Sequence, residues 1–349
     1  MNPTTATMVV HGPEAFDAGD TGRLIALLSP RRVLVAGVMA RTAAEESGLP
    51  VTCTGERPSV VFSTLDDRAF LVNRGKTPES GRIFGELVAG RLKGLVHVEC
   101  SSRTVYCWDG GDEGLAREIA SLTGYALVHA MSDRTQREGT REVRGCLPGE
   151  AVFVNGIVIG TATVETVVLA SEGGVLRPIS GLDPKPHGFE KLHRAGLPDL
   201  GAAWCKSGPV RRVPPRQGGR ASRGGRVAVI DHCGHTLYHE IGEGVCGVLA
   251  IGDDTTAVCG HICSHAGIPV FGVIDGDADA IVEPGYAPGS VVVEVIDGRD
   301  DDLGREVAAT RDLQTETWDE WVEETLRTLA GRVRVVVDRR GEEDAMRRV

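Results

Sequence analysis

The sequence predicts an α/β fold: two Rossmann-like lobes of mostly parallel sheet with a small β-rich module between them. Three observations carry this. Short apolar runs alternate with stretches of helical spacing over residues 7–130 and again over 227–296, the pattern of strands joined by crossover helices. Glycine supplies 46 of 349 residues, against a usual share of about 7 %, which implies many tight turns and close backbone approaches. Between the two alternating regions, residues 140–182 change to closely spaced β runs broken by Asn155-Gly156 and Gly173-Gly174.

Taken in order, Met8–His11 reads as a strand, Asp20–Leu28 as a helix and Arg32–Ala36 as a buried strand closed by Gly37. Thr42–Ser47 is helical, with Gly48 at its C-terminal cap. Val60–Phe62, Ala69–Val72 and Leu95–Glu99 read as strands, and Gly81–Leu92 and Glu113–Leu122 as helices. Ala151–Ile159 is a hairpin across Asn155-Gly156, since that dipeptide favours the left-handed turn that matches strand twist. Glu165–Ala170 and Val175–Ile179 form a second pair. Gly181–Leu192, with two prolines, reads as a rigid extended segment, a domain connector with a clamp over a cleft as the alternative. Val227–Ile230, Val248–Ile251, Val270–Ile274 and Val291–Ile296 are apolar strands, with a helix over Thr255–Ala266. Trp318, Trp321, Val322, Thr325 and Leu329 share a helical face, and Val333–Val337 is a last strand. No internal repeat of fixed period is evident. The expected division is 1–135 for the first lobe, 136–205 for the β module, 206–226 for a basic linker, 227–300 for the second lobe, and 301–349 for an acidic segment with a terminal helix.

Composition narrows the function. The net charge of −11 argues against wholesale electrostatic binding to nucleic acid or to an anionic membrane surface. Aromatic residues make up 4 % of the chain, too few for a stacking platform on single strands. Residues 206–226 do carry Lys206 and six arginines without an acid, so a nucleic-acid-associated protein using this arm is one alternative. No apolar run is long enough to span a bilayer, and the N-terminal residues lack the pattern of a secretory signal. The nine scattered cysteines suit reduced thiols in a cytoplasm.

The sharpest candidate site is Val248–Val282. Gly252-Asp253-Asp254-Thr255-Thr256 follows one apolar strand, and Asp275-Gly276-Asp277-Ala278-Asp279 follows another. Both clusters should lie at the carboxyl edge of one parallel sheet, where open α/β sheets bind ligands. Asp275, Asp277 and Asp279 are the expected ligands of Mg²⁺ or Mn²⁺, hard cations usually held by carboxylates, water and phosphate. Asp253 and Asp254 are the expected catalytic carboxylates. Gly252, Thr255 and Thr256, at a helix start, are expected to meet phosphate. A structural reading competes: Asp254 or Thr255 as a helix cap, and the Asp-Gly-Asp segment as an ordinary turn.

Lys76 and Thr77, in a strand-to-helix loop without Walker A spacing, are a second phosphate candidate; the bland alternative is a capping threonine. His11 and Glu14, just after the first strand, are candidate acid–base residues, against the reading of His11 as structural. The Cys/His set at 231–265 invites a metal, but it has no pair of cysteines two residues apart. Buried thiols beside a partly exposed histidine face are the expectation there.

The blocks HGPEAFDAGD, GVMARTAA, NRGKTPESGRIFG, LPGEAVFVNGIVIGTAT, KPHGFEKL and GDDTTAVCGHICSHAGIPVFGVIDGDADAI together resemble a family of uncharacterised archaeal proteins found mainly in methanogens. The resemblance covers most of residues 8–300 and implies an archaeal cytosolic setting, but brings no mechanism. Residues 227–282 more loosely resemble Toprim-type domains, in which a Glu and an Asp-x-Asp serve Mg²⁺. Asp275 and Asp277 match the latter, whereas Asp231 and His232 stand where the Glu would be. The expected function is a Mg²⁺-dependent enzyme acting on a nucleotide or phosphorylated small molecule, by phosphoryl or nucleotidyl transfer or by hydrolysis. A non-catalytic nucleotide-binding sensor or scaffold is the alternative from another class. Either form can act as a homo-oligomer.

Overall fold

The computed structural model describes residues 6–133, 139–194, 196, 199–201, 203–219 and 224–342. The chain divides into two compact units, Met1–Gly208 and Pro209–Val349.

The first unit is built on a seven-stranded sheet. Its strands are β1 (Thr7–His11), β2 (Arg32–Ala36), β3 (Thr52–Cys53), β4 (Ala69–Asn73), β5 (Leu95–Glu99), β6 (Thr104–Trp108) and β7 (Ala126–Ala130), in the order β3-β2-β1-β4-β5-β6-β7. β3 through β5 run parallel, and β6 turns antiparallel to β5. Central strands read as continuous apolar runs because both sheet faces are covered: every residue of β5 and β6 is buried. The covering helices are α1 (Glu14–Asp17), α2 (Asp20–Leu28), α3 (Val38–Ser47), α4 (Pro58–Ser63), α5 (Pro78–Ala89) and α6 (Glu113–Thr123). Residues 60–62, expected as a strand, lie inside α4: Pro58 sits at the first helical position, where its missing N–H costs nothing. The order of strands reverses between β1 and β4, the switch point at whose carboxyl ends open α/β sheets bind ligands.

The β module belongs to this unit. It contains β8 (Thr140–Arg144), β9 (Ala151–Val154), β10 (Ile157–Ala162), β11 (Thr166–Glu172), β12 (Val175–Ser180), β13 (Leu182–Pro184) and β14 (Cys205–Ser207). The Asn155-Gly156 hairpin forms, with φ of 49° and 86° at the two turn residues. The two expected hairpins fall in different sheets, β13-β10-β9-β14 and β12-β11-β8. Their inward faces share one core, with Val152, Val154 and Ile159 from the first and Val143, Val167 and Leu169 from the second. The expected connector at 181–192 holds a helix, α7 (Pro186–Arg194), again with proline in the first turn. Gly188 lets it close on β10: a Cβ there would fall 2.0 Å from the Val158 carbonyl oxygen.

The second unit has the order β19-β15-β16-β17-β18-β20, from β15 (Gly225–Asp231), β16 (Val245–Ile251), β17 (Val270–Ile274), β18 (Val291–Val295), β19 (Gln314–Thr315) and β20 (Val333–Asp338). β15 to β18 are parallel and consecutive, and the two outer strands are antiparallel. Its helices are α8 (Leu237–Glu240), α9 (Asp253–Ala266), α10 (Asp300–Thr310) and α11 (Trp318–Thr328). Trp318 and Trp321 of α11 stack on each other and sit in a core with Leu249, Phe271 and Val293. Gly247 makes room for this: a Cβ there would fall 2.0 Å from the Trp318 ring.

The segment expected as a linker is largely fixed. Residues 209–219 run along the second unit: Val210 donates to the Ile281 carbonyl and Gly218 to that of Ser264. Arg211 is 3 % exposed, and its guanidinium meets His261 Nε2 at 3.2 Å. Arg220 and Arg223 lie outside the described residues, and Arg226 is in β15.

Both units repeat one local design. Val33-Leu34-Val35-Ala36-Gly37 leads into α3, and Gly48-Leu49-Pro50-Val51 follows it. Val248-Leu249-Ala250-Ile251-Gly252 leads into α9, and Gly267-Ile268-Pro269-Val270 follows. Gly37 (φ 101°, ψ 148°) and Gly252 (φ 105°, ψ 145°) share a conformation closed to other residues. Beneath each lies a histidine from the preceding strand's end: His11 at 3.2 Å and His232 at 3.0 Å from where a Cβ would stand. The two copies have helices of 10 and 14 residues, which is why no fixed period shows in the sequence.

Candidate functional site

The acidic edge of the second unit follows from strand order. Because β16, β17 and β18 are adjacent and parallel, whatever follows each strand arrives at one edge. Asp253 follows β16, Asp275 follows β17, and Asp300 opens α10 after β18. Carboxylate oxygens of these three lie within 4.8 Å of one another. Asp253 and Asp300 are 7 % and 5 % exposed, while Asp275 is open to solvent.

Asp253 also fixes the turn it faces. Its Oδ2 accepts from Asp275 N at 3.0 Å and its Oδ1 from Gly276 N at 3.1 Å. Asp254 does the same further along, accepting from Asp279 N at 3.1 Å. The electrostatics are unfavourable to charge. Burial, joined by the charges of Asp277, Asp275 and Asp300 and opposed by the Asp275 amide, raises the Asp253 carboxyl to about 6. Asp300 is likewise pushed up, by burial first and then by Asp275. No Lys or Arg ion-pairs with any of the three among the described residues.

A second group stands beside the first, since Asp301 follows Asp300 and its amide donates to Asp300 Oδ1 at 2.7 Å. His232 Nδ1 meets Asp231 Oδ1 at 2.6 Å, and its Nε2 lies 3.4 Å from Asp301 Oδ1. This group is already compensated. Arg305 Nε pairs with Asp231 at 2.9 Å and its terminal nitrogen approaches Asp301 at 3.5 Å. His232 has φ 55°, a left-handed backbone that marks strain for a non-glycine residue.

Compared with the sequence expectation, Asp253 and Asp275 come together, but Asp277 and Asp279 are not part of the set. Alternation along a turn does not converge side chains, whereas adjacency of strand ends does. Asp300 is the residue the sequence reading missed; its signal was the acidic run Asp300-Asp301-Asp302 soon after an apolar strand. Thr255 is 8 % exposed. Thr256 is 1 % exposed, donates to the Ala250 carbonyl, and covers Gly272 with its methyl, so its hydroxyl is not presented to a ligand. On the histidine face of α9, His261 is fully buried, between Arg211 and the Glu283 carbonyl, while His265 is half-buried.

In the first unit, His11 ends β1 at the sheet's reversal point. Its Nδ1 lies 2.9 Å from the Ala36 carbonyl, so that nitrogen carries the proton. The ring stacks on Phe84 at 4.5 Å. Burial lowers its pKa to about 4, and Lys206 adds to the effect against the Ala36 bond. Glu14 lies in the first turn of α1, and a Cβ at Gly12 would fall 2.8 Å from its Oε2. Lys76 is engaged by Glu150 in an ion pair and donates to Ser207 Oγ at 2.9 Å. Thr77 caps α5, exchanging bonds with Ser80. Lys76 thus ties the β module to the strand-to-helix loop, and Thr77 closes a helix start.

The fold and this edge define a class: a two-unit α/β protein whose second sheet gathers carboxylates at its carboxyl end. Residues 8–314 match the family described as an uncharacterized protein conserved in archaea, DUF2117, and the chain belongs to that family. A relative from Methanocaldococcus jannaschii, named Uncharacterized protein MJ0065, is 33 % identical over 325 residues, covering 85 % of this chain and 89 % of that protein. No solved structure matches the chain. Among the described residues, no helix is long and apolar enough to cross a membrane.

Proposed function

We propose that the second unit is a divalent-cation-dependent enzyme acting on a nucleotide or phosphorylated small molecule, by phosphoryl or nucleotidyl transfer or by hydrolysis. The observation that carries this is the convergence of Asp253, Asp275 and Asp300 within 4.8 Å with no Lys or Arg ion-paired to them among the described residues. The three fit a hard cation: all donors are oxygens, two are buried, and burial, joined by repulsion from neighbouring carboxylates, raises Asp253 and Asp300. A divalent ion removes that repulsion. Arg305 already compensates Asp231 and Asp301, so the ion is assigned to the other triad. Bound there, Mg²⁺ or Mn²⁺ would neutralise charge on a phosphoryl group. Asp254 and Asp279 shape the loop that frames the triad, and His232, oriented by Asp231, is placed to hold or pass a proton near it.

The test is a thermal melt of the full chain with Mn²⁺ or Mg²⁺ across a panel of nucleotides and phosphorylated coenzymes, with Asp300→Asn alongside. A ligand held at ~100 times its Kd adds ~2.7 kcal/mol, a readily measured shift. A shift that needs metal and is lost in Asp300→Asn supports the reading. Absence of any metal response in the native chain overturns it.

A further inference from the structure

The carboxyl edge of the second sheet holds a cavity besides the carboxylate triad. It has a volume of about 330 Å³ and opens between the end of β18, the first turns of α10 and the residues before β20. Ile296 N donates to the Arg332 carbonyl at 2.9 Å, which ties two of these walls together. The third wall is shared with the triad. Asp300 and Asp301 are buried and belong to the two carboxylate groups, whereas Asp302, Leu303 and Glu306 of the same helix line the cavity. An occupant of the cavity therefore shares the first turn of α10 with the proposed metal. Open α/β sheets bind their ligands at this edge.

The lining selects against phosphate. Both arms of the Arg332 guanidinium are taken by Glu306, at 2.7 Å each, and Arg299 is engaged as well. Asp297 and Asp302 line the cavity and enter no ion pair among the described residues. Carboxylates repel an anion and accept from hydroxyl groups. Beside them Ile296, 64 % exposed, and the buried Leu303 supply apolar surface. Apolar surface next to carboxylate acceptors suits a sugar, which presents C–H bonds on its faces and hydroxyls at its edge. The volume stands at the lower end of the range of small-molecule sites, about 300–1,000 Å³, which suits one sugar with at most a base attached.

We propose that this cavity receives the hydroxylated half of the substrate, a vicinal diol of a sugar, while the phosphate of the same molecule turns to the metal at Asp253, Asp275 and Asp300. Asp297 and Asp302 accept from the two hydroxyls, and Ile296 covers the face of the ring. The placing of the phosphate rests on the metal-dependent reading above; the capture of the diol does not need the metal.

The experiment has two parts, both on the full chain. Mn²⁺ alone is titrated and followed by electron paramagnetic resonance, which tests the metal reading by itself. Saturation-transfer NMR, in Mg²⁺ and again in EDTA, then measures AMP, deoxy-AMP, which lacks one hydroxyl of the diol, and ribose phosphate. AMP should bind about tenfold more tightly than deoxy-AMP in both conditions, the worth of one hydroxyl bonded to a charged acceptor. Asp302→Ala, an exposed change, should erase that preference, and Ile296→Ser should weaken AMP several-fold. AMP binding above ribose phosphate assigns the diol to a nucleotide; equal binding, with the same loss in Asp302→Ala, assigns it to a sugar phosphate. Failure of both ribose compounds to bind, equal binding of AMP and deoxy-AMP, or a preference that Asp302→Ala leaves intact overturns the proposal, whether or not Mn²⁺ binds. Diol-selective binding without any Mn²⁺ binding supports the cavity and overturns the metal-dependent reading alone.

Discussion

Acidification should loosen the first unit through His97. This side chain is fully buried. Its Nε2 lies 2.6 Å from Asn73 Oδ1, and the Trp108 indole N–H donates to its Nδ1 at 3.4 Å. One nitrogen therefore donates and the other accepts, which only the neutral ring can do. Burial lowers its pKa to about 3, against about 6.5 in an unfolded chain. The folded value lies below the unfolded one, so the stabilisation is complete above pH 6.5 and is lost as pH falls toward 3. At pH 5, 1.5 units below the unfolded value, the loss is ~2 kcal/mol, at ~1.4 kcal/mol per unit. Native-state amide exchange of the β5 and β6 peptides, corrected for the chemical exchange rate, reads this at pH 8, 6 and 5. His97→Gln, which keeps a donor for Asn73, should show a slope shallower by one proton. His11 acts in the same direction in both proteins and cancels in the comparison. Equal slopes in the native chain and the variant would refute the assignment.

Other expectations are as direct. Asp253→Asn removes charge from a crowded carboxylate cluster while keeping one oxygen for the Asp275-Gly276 turn. Without metal, chemical denaturation should show the second unit unchanged or stabilised by up to ~1 kcal/mol, and Mn²⁺ should no longer raise the melting temperature. Gly247→Ala drives a methyl into the Trp318 ring; overpacking of this kind costs about 1–3 kcal/mol, to be read from a urea titration followed by tryptophan fluorescence. Gly37→Ala forces φ of 101° on a residue with a Cβ and crowds His11; a loss of about 1–3 kcal/mol is expected, seen as faster amide exchange in β2.

Much of the scaffold was legible because local chemistry and burial agree. β2 and α2 fall at the bounds their apolar patterns indicate, and Gly48 and Gly267 end their helices in the left-handed conformation expected of a C-terminal cap. Failures occurred where two readings share one pattern. Pro58-Ser59-Val60-Val61-Phe62 is a short apolar run, and periodicity alone does not separate a strand from one helical turn and a half. Pro186 likewise starts a helix where two prolines suggested extension. Within the candidate site, the sequence located Asp253 and Asp275 because each directly follows an apolar strand. It did not locate Asp300, which stands five residues beyond β18 and joins the others only through the lateral order of strands. The inward face of β8 gave no signal: Thr140-Arg141-Glu142-Val143-Arg144 holds a single apolar residue and looks solvated, and only the second sheet of the module shows which side of it is covered.

The twin turns at Gly37 and Gly252 serve as internal controls for each other. Two segments with the same strand, the same glycine geometry, a helix, and a Gly-(Leu/Ile)-Pro-Val exit solve one strand-to-helix turn in the same way. Comparing the copies then separates what the turn needs from what is added to it. A histidine lies under each glycine, so its presence alone says little about chemistry. The helices open differently, with Val38-Met39 in one copy and Asp253-Asp254 in the other. By that comparison the paired aspartates distinguish one copy from its twin. A chain carrying the first copy's opening residues at 253 and 254 would recreate the plainer form.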